Sequence, residues 1–196
     1  MKEVWDTIGG GQAGLASGYH LQKNGLRFLI LKASGQAVGS WPNYYASLKL
    51  FSPARFSSLP GLKFPGAGDH YPLRDEVIHY LQEYAKAFRL PIKTNQRVES
   101  VEKTGETFMI RTVSGDKYES RTVINATGAF QHPFMPAIKG QKEFRGNILH
   151  SSEYRNPTPF VNQRVLVVGA GNSAVQIAVE LAEVSKTSLA VLRPVK

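Results

Sequence analysis

Three kinds of hydrophobic pattern alternate along this chain. Nearly continuous apolar runs stand at Arg27-Phe28-Leu29-Ile30-Leu31 and Arg164-Val165-Leu166-Val167-Val168, as strands buried on both faces require. Apolar residues at helical spacing predict three helices. Leu15, Ala16, Tyr19 and Leu21 mark one over Ala13 to Asn24, with Asn24-Gly25 as its stop. Val77, Ile78, Leu81, Tyr84, Ala85 and Phe88 mark another, opened by Tyr71 to Glu76 and running through Phe88. Ser173 to Ala182 is the third. Between the last two helices, Gln96 to Val101, Thr107 to Val113 and Lys117 to Ser120 read as a small antiparallel layer, with turns at Thr104-Gly105 and Ser114-Gly115-Asp116. Arg121 to Asn125 returns to the main sheet, and Leu189-Ala190-Val191-Leu192 reads as a last strand.

The first strand is the exception. Val4 to Ile8 carries Asp6 and Thr7 where a central parallel strand is expected to be apolar, and an uncompensated polar group there costs a few kcal/mol. The sequence leaves open whether Asp6 sits below the sheet on an unusually short strand.

Each of two strand-to-helix joints carries a glycine-rich turn. The first is Gly9-Gly10-Gly11-Gln12-Ala13-Gly14, the second Gly169-Ala170-Gly171-Asn172-Ser173-Ala174. In such a turn the first glycine permits the tight bend and the second lets the backbone approach a pyrophosphate. The third lets helix and strand pack, and alanine is an accepted variant there. The pyrophosphate rests on the helix N-terminus, where free N–H groups and the dipole favour anions. The pattern predicts a Rossmann-like α/β fold handling two dinucleotides. Lys32 stands where the first site is expected to carry an acidic acceptor for the adenosine ribose. A lysine has no acceptor, so it either attracts a phosphate or weakens the site. Arg193 follows the second turn by about 20 residues, at the end of the predicted last strand, where a basic side chain can receive a ribose 2′-phosphate; the alternative is a solvent-exposed arginine.

Composition narrows the picture. The 196 residues carry a formal net charge of +9, but the basic residues are scattered and no nucleic-acid motif accompanies them; no nucleic-acid partner is expected. The longest apolar stretch, Val165 to Ala182, is already a strand, turn and helix, so no membrane span is expected, and the N-terminus has no signal-peptide pattern. A cytoplasmic location is the expectation. There is no cysteine, so a thioredoxin-reductase-like or glutathione-reductase-like enzyme is not expected, and electrons from a bound flavin are expected to go to oxygen, a quinone or another partner. No metal site is expected. The Gly-, Pro-, Ser- and aromatic-rich connection from Ala37 to Pro53 suits a cofactor-lining loop or a packed surface loop.

Between the two turns lies Phe144-x-Gly146-x-x-x-His150-x-x-x-Tyr154. With Gly39-Ser40-Trp41, Leu50-Phe51-Ser52-Pro53 and Ala126-Thr127-Gly128, these motifs run in one order along essentially the whole chain. On them the chain resembles the N-terminal part of flavin-dependent monooxygenases, the group of flavin-containing monooxygenases and related Baeyer–Villiger enzymes. Its Tyr154 ending is more similar to the flavin-containing or small bacterial branch than to the Baeyer–Villiger branch. The resemblance implies an FAD-binding domain over 1–157, incomplete without its C-terminal return. It also implies the first β-α-β of an NAD(P)-binding domain over 158–196. It implies that Gly9, Gly11, Gln12, Ala13 and Gly14 hold FAD, with Lys32, Gly39, Ser40, Trp41, Phe51, Ala126, Thr127 and Gly128 around it. Gly169, Gly171, Asn172, Ser173, Ala174 and Arg193 would hold NADPH or NADH. The implied chemistry is hydride transfer to FAD, then oxygen activation as a peroxyflavin that oxygenates a small-molecule substrate. Phe51 stands where flavin-containing monooxygenases carry an active-site Asn. His150 reads as a structural, cofactor-linking residue rather than an acid or base, and no catalytic side chain is identified. A homo-oligomer or a missing C-terminal half is the expected completion. The competing readings are a remnant that binds a nucleotide or partner chain without turnover, and an electron-transfer reductase, which lacks the Phe144-to-Tyr154 motif.

Overall fold

A computed structural model describes residues 4–128 and 133–192 of the chain. Two compact units emerge, Met1–Pro42 with Ser52–Gln131 and Asn43–Phe51 with His132–Lys196. Residues 133–157, expected in the first domain, group with the second unit, as does the short segment 43–51.

The first unit is built on a parallel sheet. β1 (Val4–Ile8), β2 (Arg27–Leu31), β3 (Ile92–Lys93) and β7 (Thr122–Asn125) run in the order β3-β2-β1-β7. β3 went unread in the sequence because it is only two residues long. α1 (Gln12–Lys23) packs its buried Gly14, Leu15, Gly18 and Leu21 toward β1 and β2. Gly18 is needed there, because a side chain would press into Ile30 and Phe28. α2 (Arg74–Ala87) buries Val77, Tyr80, Leu81 and Tyr84. Tyr80 donates to Leu62 O and accepts from Leu59 N–H, both at 2.7 Å, while Tyr84 donates to Pro60 O at 2.6 Å. The helix thereby ties down the loop that precedes it. β4 (Val98–Thr104), β5 (Thr107–Thr112) and β6 (Lys117–Ser120) form the expected antiparallel layer, with the first strand displaced toward its turn.

β1 is a full five-residue central strand, with Asp6 opposite Leu29 on one side and Val123 on the other. Asp6 does not sit below the sheet. Its carboxylate accepts Leu29 N–H at 3.1 Å, and its own N–H donates to Ser120 Oγ at 3.1 Å. Burial nevertheless raises its pKa to about 6 against those hydrogen bonds. Thr7 Oγ1 and Trp5 Nε1 are buried with no hydrogen-bond partner.

In the second unit, β8 (Arg164–Val168), α3 (Asn172–Ala182) and β9 (Lys186–Ala190) make one parallel β-α-β. The last strand, expected at 189–192, therefore begins and ends earlier. Ser185 N–H closes α3 on Leu181 O at 2.8 Å and Lys186 N–H donates to Gln163 O at 2.8 Å, so pairing starts at once. The polar Lys186-Thr187-Ser188 concealed that first half. Tyr45, Tyr154, Ile177 and Leu181 form the buried core, with Leu48, Phe160, Val165 and Val167 packed against it. No helix among the described residues is long and apolar enough to cross a membrane.

Candidate functional site

In the first unit the strand ends converge on one glycine turn. Gly9 has φ +115° and donates its N–H to Leu31 O at 2.9 Å. A Cβ on Gly9 would overlap the carbonyl of Ala126, and one on Gly14 would overlap the carbonyl of Gly9. Both positions are thus closed to any side chain. Gly39 N–H donates to Gly10 O at 3.0 Å, drawing the 33–41 loop against Gly11. Trp41 Nε1 donates to Gln12 Oε1 at 2.9 Å, orienting the first side chain of α1. From the neighbouring strand, Ala126 N–H donates to Ile8 O at 2.8 Å, and Asn125 Oδ1 accepts from both N–H and Oγ1 of Thr127. Gly9, Gly11, Gln12, Gly14, Lys32, Gly39, Trp41, Ala126 and Thr127 are therefore brought together. Ala13 is exposed on the first turn of α1; Ser40 and Gly128 are also exposed.

α1 begins at Gly11 with no side-chain cap and no acidic residue in its first turn. α2 differs, because Glu76 accepts Leu73 N–H at 2.7 Å and Asp75 also stands in its first turn. Uncapped N–H groups beside side-chain-free glycines suit an anionic pyrophosphate. The end of β2 differs in chemistry from the turn. Lys32 Nζ donates to Gly39 O at 3.1 Å, and the stem of Lys32 lies beside Gly10. Burial first, and then the charge of Arg97, lower its pKa.

The second turn repeats the backbone of the first. Gly169 has φ +121°, and its N–H donates to Ala190 O at 2.9 Å. α3 starts at Gly171, again without a side-chain cap or acidic first turn. At the third position this turn carries Ala174, whose Cβ lies 3.8 Å from where a Cβ on Gly169 would stand. Asn172 and Ser173 occupy the start of this helix. Because Gly9 and Gly169 make the same bond to a strand end, the counterpart of Lys32 is Val191. Arg193 lies outside the described residues.

The Phe144-to-Tyr154 motif lies within the second unit. Gly146 sits under the Phe144 ring, where a side chain would collide. His150 Nδ1 faces both Oγ (2.8 Å) and N–H (3.1 Å) of Ser152, and His150 N–H donates to Glu153 at 2.9 Å. The ring closes its own turn, a structural arrangement. Tyr154 donates to Glu180 at 2.6 Å, and burial together with that carboxylate holds its hydroxyl far above the usual range. Sequence reasoning missed Gln176. Its side chain accepts from Tyr45 OH (3.1 Å) and Lys49 N–H (3.1 Å) and donates to Lys49 O (2.8 Å). Its position beside the second turn was visible, but its partners are more than 120 residues away in sequence. Phe51 ends this tethered segment and is exposed.

Residues 7–193 match the family described as pyridine nucleotide-disulphide oxidoreductase. The chain is 43% identical over 193 residues to the oxidoreductase CzcO-like of Geobacillus kaustophilus, covering 97% of this chain and 55% of that protein. It is 34% identical over 191 residues to indole-3-pyruvate monooxygenase YUCCA4 of Oryza sativa subsp. japonica, covering 89% and 44%. Among solved structures, the flavin-containing monooxygenase of Stenotrophomonas maltophilia superposes with a TM-score of 0.93 at 38% identity, covering 98% of this chain and 59% of that one. The chain spans about half the length of the curated relatives it matches.

Proposed function

The chain belongs to the pyridine nucleotide-disulphide oxidoreductase family, with flavin monooxygenases among its relatives, and from that membership we propose that it supplies the nucleotide-binding turns of an FAD- and NAD(P)H-dependent monooxygenase. Gly9 to Gly14 would receive the FAD pyrophosphate on the N–H groups that open α1. Gly169 to Ala174 would receive that of NADPH or NADH on those that open α3. Bound together, the two cofactors supply hydride transfer and oxygen activation for a small-molecule substrate; the protein contributes orientation and exclusion of water. The observation that carries the reading is the pair of uncapped helix starts, each behind a positive-φ glycine bonded to the neighbouring strand end.

A second reading, nucleotide binding without turnover, is favoured by Lys32, which puts a donor where an unphosphorylated ribose needs an acceptor. Visible absorption separates the two. The purified chain is incubated with FAD, desalted, and treated with NADPH in air. Retained flavin that bleaches and then recovers supports the oxidoreductase. Retained flavin that never bleaches supports binding without turnover, and flavin lost on desalting contradicts the assignment of the first turn to FAD.

A further inference from the structure

The first glycine turn has an unusual neighbour, a pair of cations. Lys32 follows directly on the strand end that bonds Gly9. Gln96 N–H donates to Lys32 O at 2.8 Å and Lys32 N–H to Lys93 O at 2.9 Å, so the chain continues beside Lys32 and delivers Arg97 to the same corner. Lys93 is engaged elsewhere, over the Tyr118 ring at 4.9 Å. Lys32 and Arg97 have no carboxylate partner among the described residues. Lys32 is half-buried and held only by the carbonyl of Gly39, while Arg97 is exposed at the rim. The positive charge of Arg97 is felt at Lys32, and an anion bound by both relieves that repulsion.

The site of this pair defines which anion. It stands at the end of β2, on the ribose side of the Gly9–Gly14 turn, where a dinucleotide fold recognises the 2′-position of the adenosine. We propose that Lys32 and Arg97 make the first turn selective for an adenosine whose ribose carries a 2′-phosphate, at the expense of one with free hydroxyls. This rests on the reading of that turn as a dinucleotide site. Lys32 would move from the Gly39 carbonyl to the phosphate, and Arg97 would close over it with paired N–H donors. The same pair weakens FAD, whose ribose offers hydroxyls that need an acceptor.

The test is an equilibrium titration of the 196-residue chain with 2′-phospho-ADP-ribose and with ADP-ribose, which differ only in that phosphate. The expected result is binding about tenfold tighter for the phosphorylated compound. Lys32→Met, which keeps the stem beside Gly10, and Arg97→Gln, at an exposed position, should each erase most of that preference, while Lys32→Arg should keep it. Lys32→Glu should invert it and tighten FAD. Equal affinities for the two compounds would overturn the proposal while leaving the dinucleotide site standing. A preference that survives Lys32→Met and Arg97→Gln would assign it to another site and likewise overturn the proposal. Binding of neither compound would remove the dinucleotide reading itself, and the proposal with it.

Discussion

Asp6 and Leu29 face each other across the two central strands of the first unit, with the Asp6 carboxylate accepting the Leu29 N–H at 3.1 Å. A carboxylate in that position is solvated by only part of what water would offer, and its pKa stands at about 6 instead of 3.8. The folded state therefore holds the proton more tightly than the unfolded state. Asp6 is no burden at pH below its unfolded value, becomes destabilising as pH rises from about 4 to about 6, and stays so above. Asp6→Asn keeps an acceptor for Leu29. It should gain stability over the natural chain through that window, levelling at roughly 2 kcal/mol. Urea melts of both proteins from pH 4 to 8 check this; a gap that does not grow with pH contradicts it.

Thr7 is next in the strand and wholly buried, with its hydroxyl unpartnered. Thr7→Val removes that hydroxyl while keeping the branched shape, and is expected to stabilise the chain by about 1 kcal/mol. An unchanged or lower melting temperature would mean that the hydroxyl has a partner after all.

The third positions of the two turns should respond oppositely. Gly14→Ala drives a methyl into the Gly9 carbonyl, so it should destabilise the first unit and abolish nucleotide binding there. Ala174→Gly only removes a methyl from the first turn of α3, and should change stability by no more than about 1 kcal/mol, the helix-propensity difference. Thermal melts together with nucleotide titrations measure both; equal tolerance at the two positions would count against the asymmetry.

Gln176→Ala cuts three hydrogen bonds that hold residues 45–49 to α3. A loss of about 1–3 kcal/mol is expected, with hydrogen exchange speeding up at the Lys49 amide. Unchanged protection of that amide would show the segment to be held by apolar packing alone.

Much of this fold was legible because strands and helices carry their periods in short stretches. The β-α-β around Gly9 and the one around Gly169 needed only local apolar runs and glycines. What escaped was set by distant partners. Asp6 read as a defect because Leu29 and Ser120, which satisfy its carboxylate and its N–H, are 23 and 114 residues away. β9 was read three residues late because Lys186-Thr187-Ser188 is polar, although pairing with Arg164-Val165-Leu166 makes it a strand. Around the candidate site, the glycines announced themselves, whereas Arg97 and Gln176 carry no motif. Only the pairing beside Lys32 and the packing of residues 43–51 on α3 single them out.

The proposed role of the amides opening α1 and α3 is to receive dinucleotide pyrophosphates. The most direct measurement is amide nuclear magnetic resonance of the isotopically labelled chain, titrated first with FAD and then with NADPH. Saturable shifts are expected at Gly9 to Gly14 with one cofactor or both, and at Gly169 to Ala174 with NADPH. Shifts absent from both glycine turns, or spread across the surface without saturation, would contradict it.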